Sequence, residues 1–247
     1  TWMNKYAMKD YDGEFVEKSP DDMHKRMAKE FGRIEADYKL KYNLNGSAKF
    51  LSKYGQERED LTETKVYSLF KEFGYIIPQG SVMSSLGNHY KLASLSNCIV
   101  VPELHDSYGG VFYTDQQLAQ LFKRRCGVGV DISNLRPAGA SVSNAAGSTS
   151  GAVSFMNRFS HTTREVAQNG RRGALMLSMD IAHPDVEDFI TIKQDLQKVT
   201  GANISIRLSD EFMHAVEANA KYTHKWPIDS DTPKLTKTVN AKELWDT

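Results

Sequence analysis

Two short apolar runs decide the fold of this chain: Cys98-Ile99-Val100-Val101 and Val128-Gly129-Val130-Asp131-Ile132. Each has the length of a buried strand and is bounded by polar, glycine or proline residues. Between them, Thr114-Asp115-Gln116-Gln117 has the composition of a capping box, which predicts a helix starting at Thr114. A strand, a helix and a second strand in this order favour two parallel strands joined by a helical crossover.

The same alternation continues towards the end of the chain. Ser150 is predicted to cap a helix with Val153, Met156, Phe159 and Val166 on one face. The further predicted elements are a strand at 174–178, a helix from Pro184, a strand at 204–208, a helix from Ser209 and a helix capped by Asn240. Repeated alternation of this kind predicts an α/β fold with a mostly parallel sheet.

Residues 1–75 have a different pattern and are predicted to be helical, separate from residues 76–247. Ser19-Pro20-Asp21-Asp22 supplies a cap, a first-turn proline and acidic residues that suit a helix N-terminus. A second helix is predicted to end at Gly74. Each helix has an apolar face that is expected to pack in the protein core. These faces are Met23, Met27, Phe31, Ile34 and Tyr38 on the first helix, and Val66, Leu69, Phe70 and Phe73 on the second.

The composition excludes several classes of protein. Thirty-one basic and thirty-one acidic residues give a formal net charge of zero, which argues against direct nucleic-acid binding. Two cysteines cannot make a disulfide framework, and no apolar run approaches the roughly 18 residues of a membrane span. The seven histidines lack the spacing of a metal motif, so no metal is expected. These features predict a cytoplasmic protein without a membrane partner.

Both ends of the chain predict a piece of a longer protein. The opening Thr1-Trp2-Met3-Asn4-Lys5 lacks the apolar core of a signal peptide. The helix predicted after Asn240 reaches Thr247 without a glycine or proline stop signal.

Several separated motifs carry a resemblance to a known family. They are Ser96-Asn97-Cys98, Asp106-Ser107, Cys126-Gly127-Val128-Gly129, Asn134-Leu135-Arg136-Pro137-Ala138-Gly139, Gln168-Asn169-Gly170-Arg171-Arg172-Gly173-Ala174 and His183-Pro184-Asp185. In this order and spacing, most of residues 60–215 resembles the large catalytic subunit of ribonucleotide reductase, and within it the adenosylcobalamin-dependent type. The resemblance implies a helical N-terminal segment followed by the first half of a ten-stranded α/β barrel.

The resemblance implies a redox role for Cys98. In this family, the matching cysteine is one of a pair that donates two electrons to the substrate ribose and becomes a disulfide, and the second cysteine lies beyond Thr247. Cys126 stands where the family has a glycine close to the bound nucleotide, and a cysteine adds a side chain there and disfavours positive φ. The substrate-binding residues that the resemblance implies are Asn97, Cys126, Gly127, Ser84 and Ser85.

The resemblance also implies an allosteric site for a deoxynucleoside triphosphate or ATP. A carboxylate can accept hydrogen bonds from a ribose, and a guanidinium can bind phosphate, so Asp106 and Arg136 suit opposite ends of the nucleotide. Residues 140–150 match the first effector loop, and their composition predicts mobility. The effector residues implied are Asp106, Ser107, Arg136, Gln168, Arg171 and Arg172, the last three in a second loop between effector and substrate.

Taken without the family, the same residues favour plainer interpretations. A thiol at the end of a buried strand is usually an inert small apolar side chain, which is the interpretation that Cys98 alone favours. Asp106 and Arg136 are then surface charges, and residues 168–173 a solvated basic turn.

The implied activity is the reduction of ribonucleotides, diphosphates more than triphosphates, to 2′-deoxyribonucleotides by a thiyl radical. Adenosylcobalamin is the implied radical source, and a thioredoxin-like or glutaredoxin-like protein the implied reductant. A homodimer is implied, with the helices from Thr114 and Ser150 at its contact. The apolar sets considered for it, some of which must also cover the sheet, are Leu118, Leu121 and Phe122, and Val153, Met156 and Phe159.

The 247 residues alone are expected to be inactive, because the radical cysteine and the second redox cysteine are missing. Two alternatives remain open. One is a non-catalytic nucleotide-binding module, and the other is a cysteine hydrolase using Cys98, which lacks a recognisable histidine partner.

Overall fold

The computed structural model describes residues 1–44, 52–166 and 173–247. The chain packs as two compact units, Thr1–Asn97 and Cys98–Thr247. The first unit therefore extends past the change in sequence pattern near residue 75. Its last residue is tied back into it, since the Asn97 side chain accepts a hydrogen bond from the Ser81 backbone N–H at 3.1 Å.

The first unit is helical. Its helices are α1 (Trp2–Lys5), α2 (Pro20–Leu44), α3 (Lys53–Glu57), α4 (Glu63–Phe70), a 3-10 turn (Lys71–Phe73) and α5 (Gly80–Ser85).

The core of this unit lies between α2 and α4. Met23 and Met27 are fully buried against Val66 and Phe70, as their helical spacing predicts. The predicted stripe on α2 does not extend to Tyr38, whose side chain is 54% exposed.

The end of α4 differs from the prediction that Gly74 stops the helix. The α-helix ends at Phe70, and Glu72 (φ 56°) and Phe73 (φ 55°) adopt the left-handed conformation, whereas Gly74 does not. The chain thus turns before the glycine is reached.

The second unit alternates strands and helices. Its elements are β1 (Cys98–Val100), α6 (Tyr108–Phe122), β2 (Gly127–Asp131), a 3-10 turn (Ala152–Phe155), α7 (Met156–Glu165), β3 (Ala174–Asp180), α8 (Val186–Thr191), a 3-10 turn (Ile192–Gln194), β4 (Ala202–Arg207), α9 (Asp210–Glu217), β5 (Lys221–Trp226), β6 (Leu235–Asn240) and α10 (Ala241–Asp246).

The strands β1 to β4 form one parallel sheet in the order β1-β2-β3-β4. The register aligns Cys98 with Gly127, and Gly127 with Ala174. The four predicted strands and their parallel direction are confirmed. The sequential order with a helix after each strand is the arrangement of an α/β barrel wall.

One face of this sheet is covered and the other is exposed. Val128, Val130, Leu175 and Leu177 point to the covered face, where the helices pack. Residues from α6, α7, α8 and α9 complete this core: Leu118, Phe122, Met156, Phe159, Val186, Phe189, Phe212 and Val216. Alternation along a strand places the intervening side chains on the opposite face.

The prediction that a helix begins at Thr114 is wrong. Helix α6 begins at Tyr108, and the Ser107 Oγ caps it by accepting the Gly110 N–H at 3.0 Å. Gly110 resembles a loop residue in the sequence, but a Cβ there would lie 2.2 Å from the His105 carbonyl oxygen. The glycine is thus needed for close packing at the start of the helix.

The prediction that Ser150 caps the next helix is also wrong. Ser150 Oγ donates to Ser154 Oγ, and the chain turns at Gly151, which has a φ of 88°. The first amide of the 3-10 turn, that of Ala152, donates instead to Asp185 at 3.0 Å. A distant carboxylate therefore replaces the expected local cap.

The sheet is followed by a two-stranded antiparallel hairpin, β5–β6, which the sequence interpretation did not include. Tyr222, His224 and Trp226 alternate inward along β5. Within the described ranges, no helix is long and apolar enough to cross a membrane.

Candidate functional site

Cys98 lies on the exposed face of the parallel sheet. It is the first residue of β1, opposite Gly127, and its side chain is exposed. The Cys98 side chain is therefore not buried, contrary to what its place in an apolar strand favours. The thiol is accessible from the side of the sheet that the helices do not cover.

The surroundings of this thiol are open. Gly127 and Gly129 leave β2 without side chains next to β1, and Val100 is 80% exposed. Other exposed side chains on β3 and β4 are Ala174, Met176, Asn203 and Ser205.

Cys126 lies on the other face. Its side chain is 2% exposed and belongs to the core with Val128. The left-handed conformation at this corner is taken by Arg125 (φ 70°), so Cys126 keeps an ordinary backbone where the family's glycine stands. Thiols on opposite faces of a sheet do not meet the geometry of a disulfide, so Cys126 is not placed to pair with Cys98.

The predicted substrate residue Asn97 is engaged within the first unit. Its Oδ1 accepts from the Ser81 backbone and hydroxyl, and its Nδ2 donates to the Gln79 side chain at 2.5 Å. It thereby caps the N-terminus of α5, which lacks a side-chain cap of its own. The predicted residues Ser84 and Ser85 end this helix, with their hydroxyl oxygens 3.0 Å apart.

The C-terminal end of α5 is held by Arg26. The guanidinium donates to the carbonyl oxygens of Met83, at 2.6 Å, and Leu86. It also forms a 2.6 Å ion pair with Glu17, and both side chains are buried. Helix α5, which carries both predicted serines, is thus positioned at each end by a distant side chain.

A cavity of about 210 Å³ in the second unit brings together predicted effector residues. The Arg136 Nε donates to Asp106 Oδ2 at 2.7 Å, and the Arg136 backbone N–H donates to Oδ1 at 3.1 Å. A further guanidinium nitrogen donates to the Ser141 carbonyl oxygen at 2.9 Å. The lining residues are Asp106, Ser107, Tyr108, Val111, Leu135, Arg136, Val142, Ser143, Asn144, Thr149 and Phe155.

Asp106 and Arg136, which are expected to engage opposite ends of a nucleotide, contact each other in the structure. The two charged groups are adjacent and partly exposed. Ser107 is engaged as well, because its hydroxyl caps α6 and lies 2.9 Å from His105 Nδ1. The cavity therefore presents a carboxylate and a guanidinium side by side.

The predicted mobile loop 140–150 is a hairpin. The Gly139 N–H donates to Thr149 O and the Thr149 N–H to Ala140 O, at 2.9 and 3.0 Å. Ser141 and Ser148 form an isolated antiparallel bridge. Hydrogen bonds between the two arms replace the irregular loop that its small, polar composition favours.

His183 and Asp185 form a buried pair next to this hairpin. From the sequence alone they are interpreted only as the start of a helix. Asp185 accepts hydrogen bonds from the backbone amides of Ala138 and Ala152. His183 Nδ1 accepts from the Asp185 N–H at 3.0 Å, so its Nε2 carries the proton and donates to Leu135 O at 2.8 Å. Burial lowers the pKa of His183, which favours this neutral form.

The second effector loop is predicted at residues 168–173. Gln168, Arg171 and Arg172 lie outside the described residues.

The helices proposed for a dimer contact present different residues from those predicted. Leu118, Phe122, Met156 and Phe159 are buried in the core of the unit, so these members of the two apolar sets cover the sheet and do not supply an exposed face. The large exposed side chains on α6 are instead Tyr108, Phe112 and Tyr113.

Polar residues that the sequence interpretation missed occupy the ends of the strands on the face of Cys98. Arg207 contacts Asp131 at 3.3 Å and Asp180 at 3.0 Å, and Ser178 donates to Asp131 at 2.8 Å. Alternating polar residues near the ends of β2 and β3 are the signal that predicts such a cluster. In the described part of the chain, no group of three or more His, Cys, Asp or Glu side chains is arranged to hold a metal ion.

Four sequential parallel strands, covered by helices on one face and carrying an accessible thiol on the other, define part of an α/β barrel. The family described as ribonucleotide reductase, barrel domain, matches residues 96–247. The chain belongs to this family.

Curated relatives agree with the match. The chain is 32% identical to a vitamin B12-dependent ribonucleoside-diphosphate reductase of Thermoplasma acidophilum, over 98% of this chain and 36% of the relative. It is 36% identical to the enzyme of that name from Mycobacterium tuberculosis, over 63% of this chain and 22% of the relative. The ribonucleoside-diphosphate reductase large subunit of Trypanosoma brucei brucei is 26% identical, over 78% and 25%. The chain spans about a third or less of these relatives.

Proposed function

We propose that this chain forms part of the catalytic subunit of a ribonucleotide reductase that makes deoxyribonucleotides for DNA replication. Its substrates are ribonucleoside diphosphates, the class named for its relatives. The observation that carries the proposal is the exposed Cys98 thiol on the open face of the barrel sheet.

Cys98 is proposed as one thiol of a redox pair. Two thiols give up two hydrogen atoms and become a disulfide, the C2′–O bond breaks, the hydroxyl leaves as water, and C2′ gains a hydrogen. A thiyl radical on a further cysteine removes and later returns a ribose hydrogen. Cys126 is in the core on the other face, so the second thiol must come from outside these residues. A thioredoxin-like or glutaredoxin-like protein then reduces the disulfide.

Adenosylcobalamin is proposed as the radical source, on the names of the relatives. When bound, it supplies the radical that forms the thiyl group. His24, His183 and His224 are buried in the protein, and we assign none of the described residues to holding the cofactor. The roles proposed for Cys98, Asp106 and Arg136 do not require any of these residues to hold the cofactor.

The cavity at Asp106 and Arg136 is proposed to bind a deoxynucleoside triphosphate or ATP as allosteric effector. The guanidinium suits a phosphate and the carboxylate a ribose hydroxyl, while Tyr108 and Phe155 offer ring faces. Gln168, Arg171 and Arg172 are proposed to approach the effector from the second loop.

Calorimetric titration with dTTP tests the nucleotide site on this chain. Arg136→Ala is expected to weaken binding about tenfold or more, because it removes a charge-assisted contact. Arg124→Ala is the control, since this guanidinium donates to Gln120 on α6 and does not line the cavity. Equal affinity in both variants would place the effector elsewhere.

Turnover tests the redox role. The 247 residues alone are expected to form no deoxynucleotide. In an enzyme with the family's full set of cysteines, Cys98→Ser is expected to abolish multiple turnover, because a hydroxyl cannot form the disulfide. Sustained turnover by that variant would make Cys98 a structural residue. Nucleotide binding without any turnover by the enzyme that has the full set of cysteines would favour the non-catalytic module.

A further inference from the structure

One buried carboxylate holds both ends of the hairpin that lines the cavity. Asp185 is 7% exposed. Its Oδ1 accepts from the Ala138 N–H at 3.0 Å, just before the hairpin, and its Oδ2 accepts from the Ala152 N–H at 3.0 Å, just after it. The Ala138 N–H also lies 3.1 Å from Oδ2.

The chain is shaped to allow this contact. Gly151 has a φ of 88°, and a Cβ there would lie 2.6 Å from both the Ala138 nitrogen and Asp185 Oδ2. Any other residue would therefore clash with the carboxylate as well as adopt an unfavourable backbone conformation. Gly151 leaves the room that lets a single side chain contact both ends.

Asp185 is itself held in place. It precedes α8, and its own N–H donates to His183 Nδ1, while His183 Nε2 donates to Leu135 O. Leu135 and its neighbour Arg136 line the cavity, as do Val142 and Thr149 of the hairpin. The two walls of the cavity are therefore connected through His183 and Asp185.

We propose that Asp185 is a positioning residue for the nucleotide cavity: it clamps the base of the hairpin at residues 138–152 and so sets the distance between the hairpin and Arg136. This inference rests on the proposed effector site. Without the clamp, the Ser141 carbonyl that accepts from the Arg136 guanidinium is free to move, and the guanidinium keeps only its contact with Asp106 to orient it.

Two variants break the clamp in different ways. Asp185→Asn keeps the size of the side chain but replaces one carboxylate oxygen with an NH2 group. This group faces the N–H of Ala138 or Ala152 and cannot accept a hydrogen bond from it. Gly151→Ala keeps the carboxylate and displaces it by the added Cβ. Asp188→Asn is the matched control, because it removes the same charge from an exposed position on α8.

Hydrogen exchange and dTTP titration measure the outcome. In Asp185→Asn and Gly151→Ala, amides of residues 138–152 are expected to exchange about tenfold faster and dTTP to bind about tenfold more weakly, as for loss of one charge-assisted hydrogen bond. The control keeps wild-type values. Faster exchange throughout β1 to β4 would instead mean that Asp185 supports the whole fold, and would overturn the proposal.

Failure of this inference and failure of the proposed function give different results. If wild type and Asp185→Asn bind dTTP equally and the hairpin exchanges at the same rate, the positioning role is overturned while the effector site stands. If wild type binds no nucleotide, the effector site is overturned and the effect on affinity with it. The exchange rates alone then decide whether Asp185 holds the hairpin.

Discussion

Cys98 and Cys126 differ in solvent exposure because their side chains lie on opposite faces of one sheet. Native protein is therefore expected to react quickly with iodoacetamide at one thiol per chain, since reagent must reach the sulfur. Cys98→Ser should remove the fast reaction, and Cys126→Ser should retain it. Mass spectrometry of the labelled peptides identifies the site; fast labelling of Cys126 would contradict the assignment of faces.

His24 makes the stability of the first unit depend on pH. It is 1% exposed between Phe70 and Phe73, with both ring nitrogens lacking a hydrogen-bond partner in the described part of the chain. Burial lowers the pKa of His24 below its ordinary 6.5, partly opposed by Asp21. The folded state therefore favours the neutral ring. The free energy of unfolding keeps its full value above pH 6.5 and decreases as the pH falls below 6.5, because the unfolded chain then takes up a proton at His24 before the folded chain does.

Urea unfolding at pH 7.5 and 5.5 measures this loss. His24→Phe is expected to reduce the pH dependence by up to about 1.4 kcal/mol per pH unit, the limit for one proton. His214→Phe is the control, because that side chain is exposed on α9. His183 and His224 also have lowered pKa values through burial, so some pH dependence will remain. An unchanged slope in His24→Phe would show that this ring protonates freely in the folded state.

At the scale of elements, α5 shows how distant side chains position a short helix. Arg26→Ala removes the cap at its C-terminal end and leaves Glu17 buried without its ion-pair partner. We expect a loss of about 3 kcal/mol in unfolding free energy. The neighbouring Lys25→Ala breaks only an exposed pair with Asp21 and should change little. Similar urea midpoints for the two variants would contradict the role given to Arg26.

Local capping signals were predictive where the cap is local. Ser209 and Asn240 cap α9 and α10 by accepting the N–H three residues on, as expected from their positions. Thr114 and Ser150 carried comparable signals, yet neither begins its helix. There, Gly110 packs against a carbonyl and Asp185 caps from outside, and neither contact is visible in a short window of sequence.

At the scale of the whole molecule, the exposed aromatic face of α6 is the candidate for self-association. Tyr108, Phe112 and Tyr113 are 60%, 51% and 62% exposed, and Arg158 of α7 lies 4.5 Å from the Phe112 ring. Tyr108 also lines the cavity at Asp106 and Arg136, the proposed nucleotide site. A homodimer through this face would therefore couple association to nucleotide binding.

Sedimentation with and without dTTP tests this coupling. Wild type is expected to shift towards dimer when dTTP is added, and Phe112→Asp to stay monomeric, because a charge would be buried at the contact. Tyr54→Asp is the control, since Tyr54 is 76% exposed on α3 in the other unit. Equal dTTP responses in wild type and Phe112→Asp would exclude this face as the contact.

The sequence by itself determined the strands β1 to β4, their parallel direction and the location of the thiol in β1. Strands and the helices between them can be recognised from the local spacing of apolar residues, which is visible in a single sequence. The same motifs predicted Asp106 and Arg136 as members of one site, and the structure places them at the same cavity.

Only the tertiary structure decided which face each cysteine occupies, how Asp106 and Arg136 meet, and that Asp185 joins both ends of a hairpin. The contacts of Asp106 with Arg136 and of Asp185 with the hairpin join residues about 30 or more positions apart. Their energy depends on burial and on hydrogen-bond geometry. The local sequence specifies neither the burial of these groups nor the geometry of their hydrogen bonds. Residues 140–150 form a hairpin, and Asp185 contacts the chain on both sides of it, although its composition predicts an irregular loop.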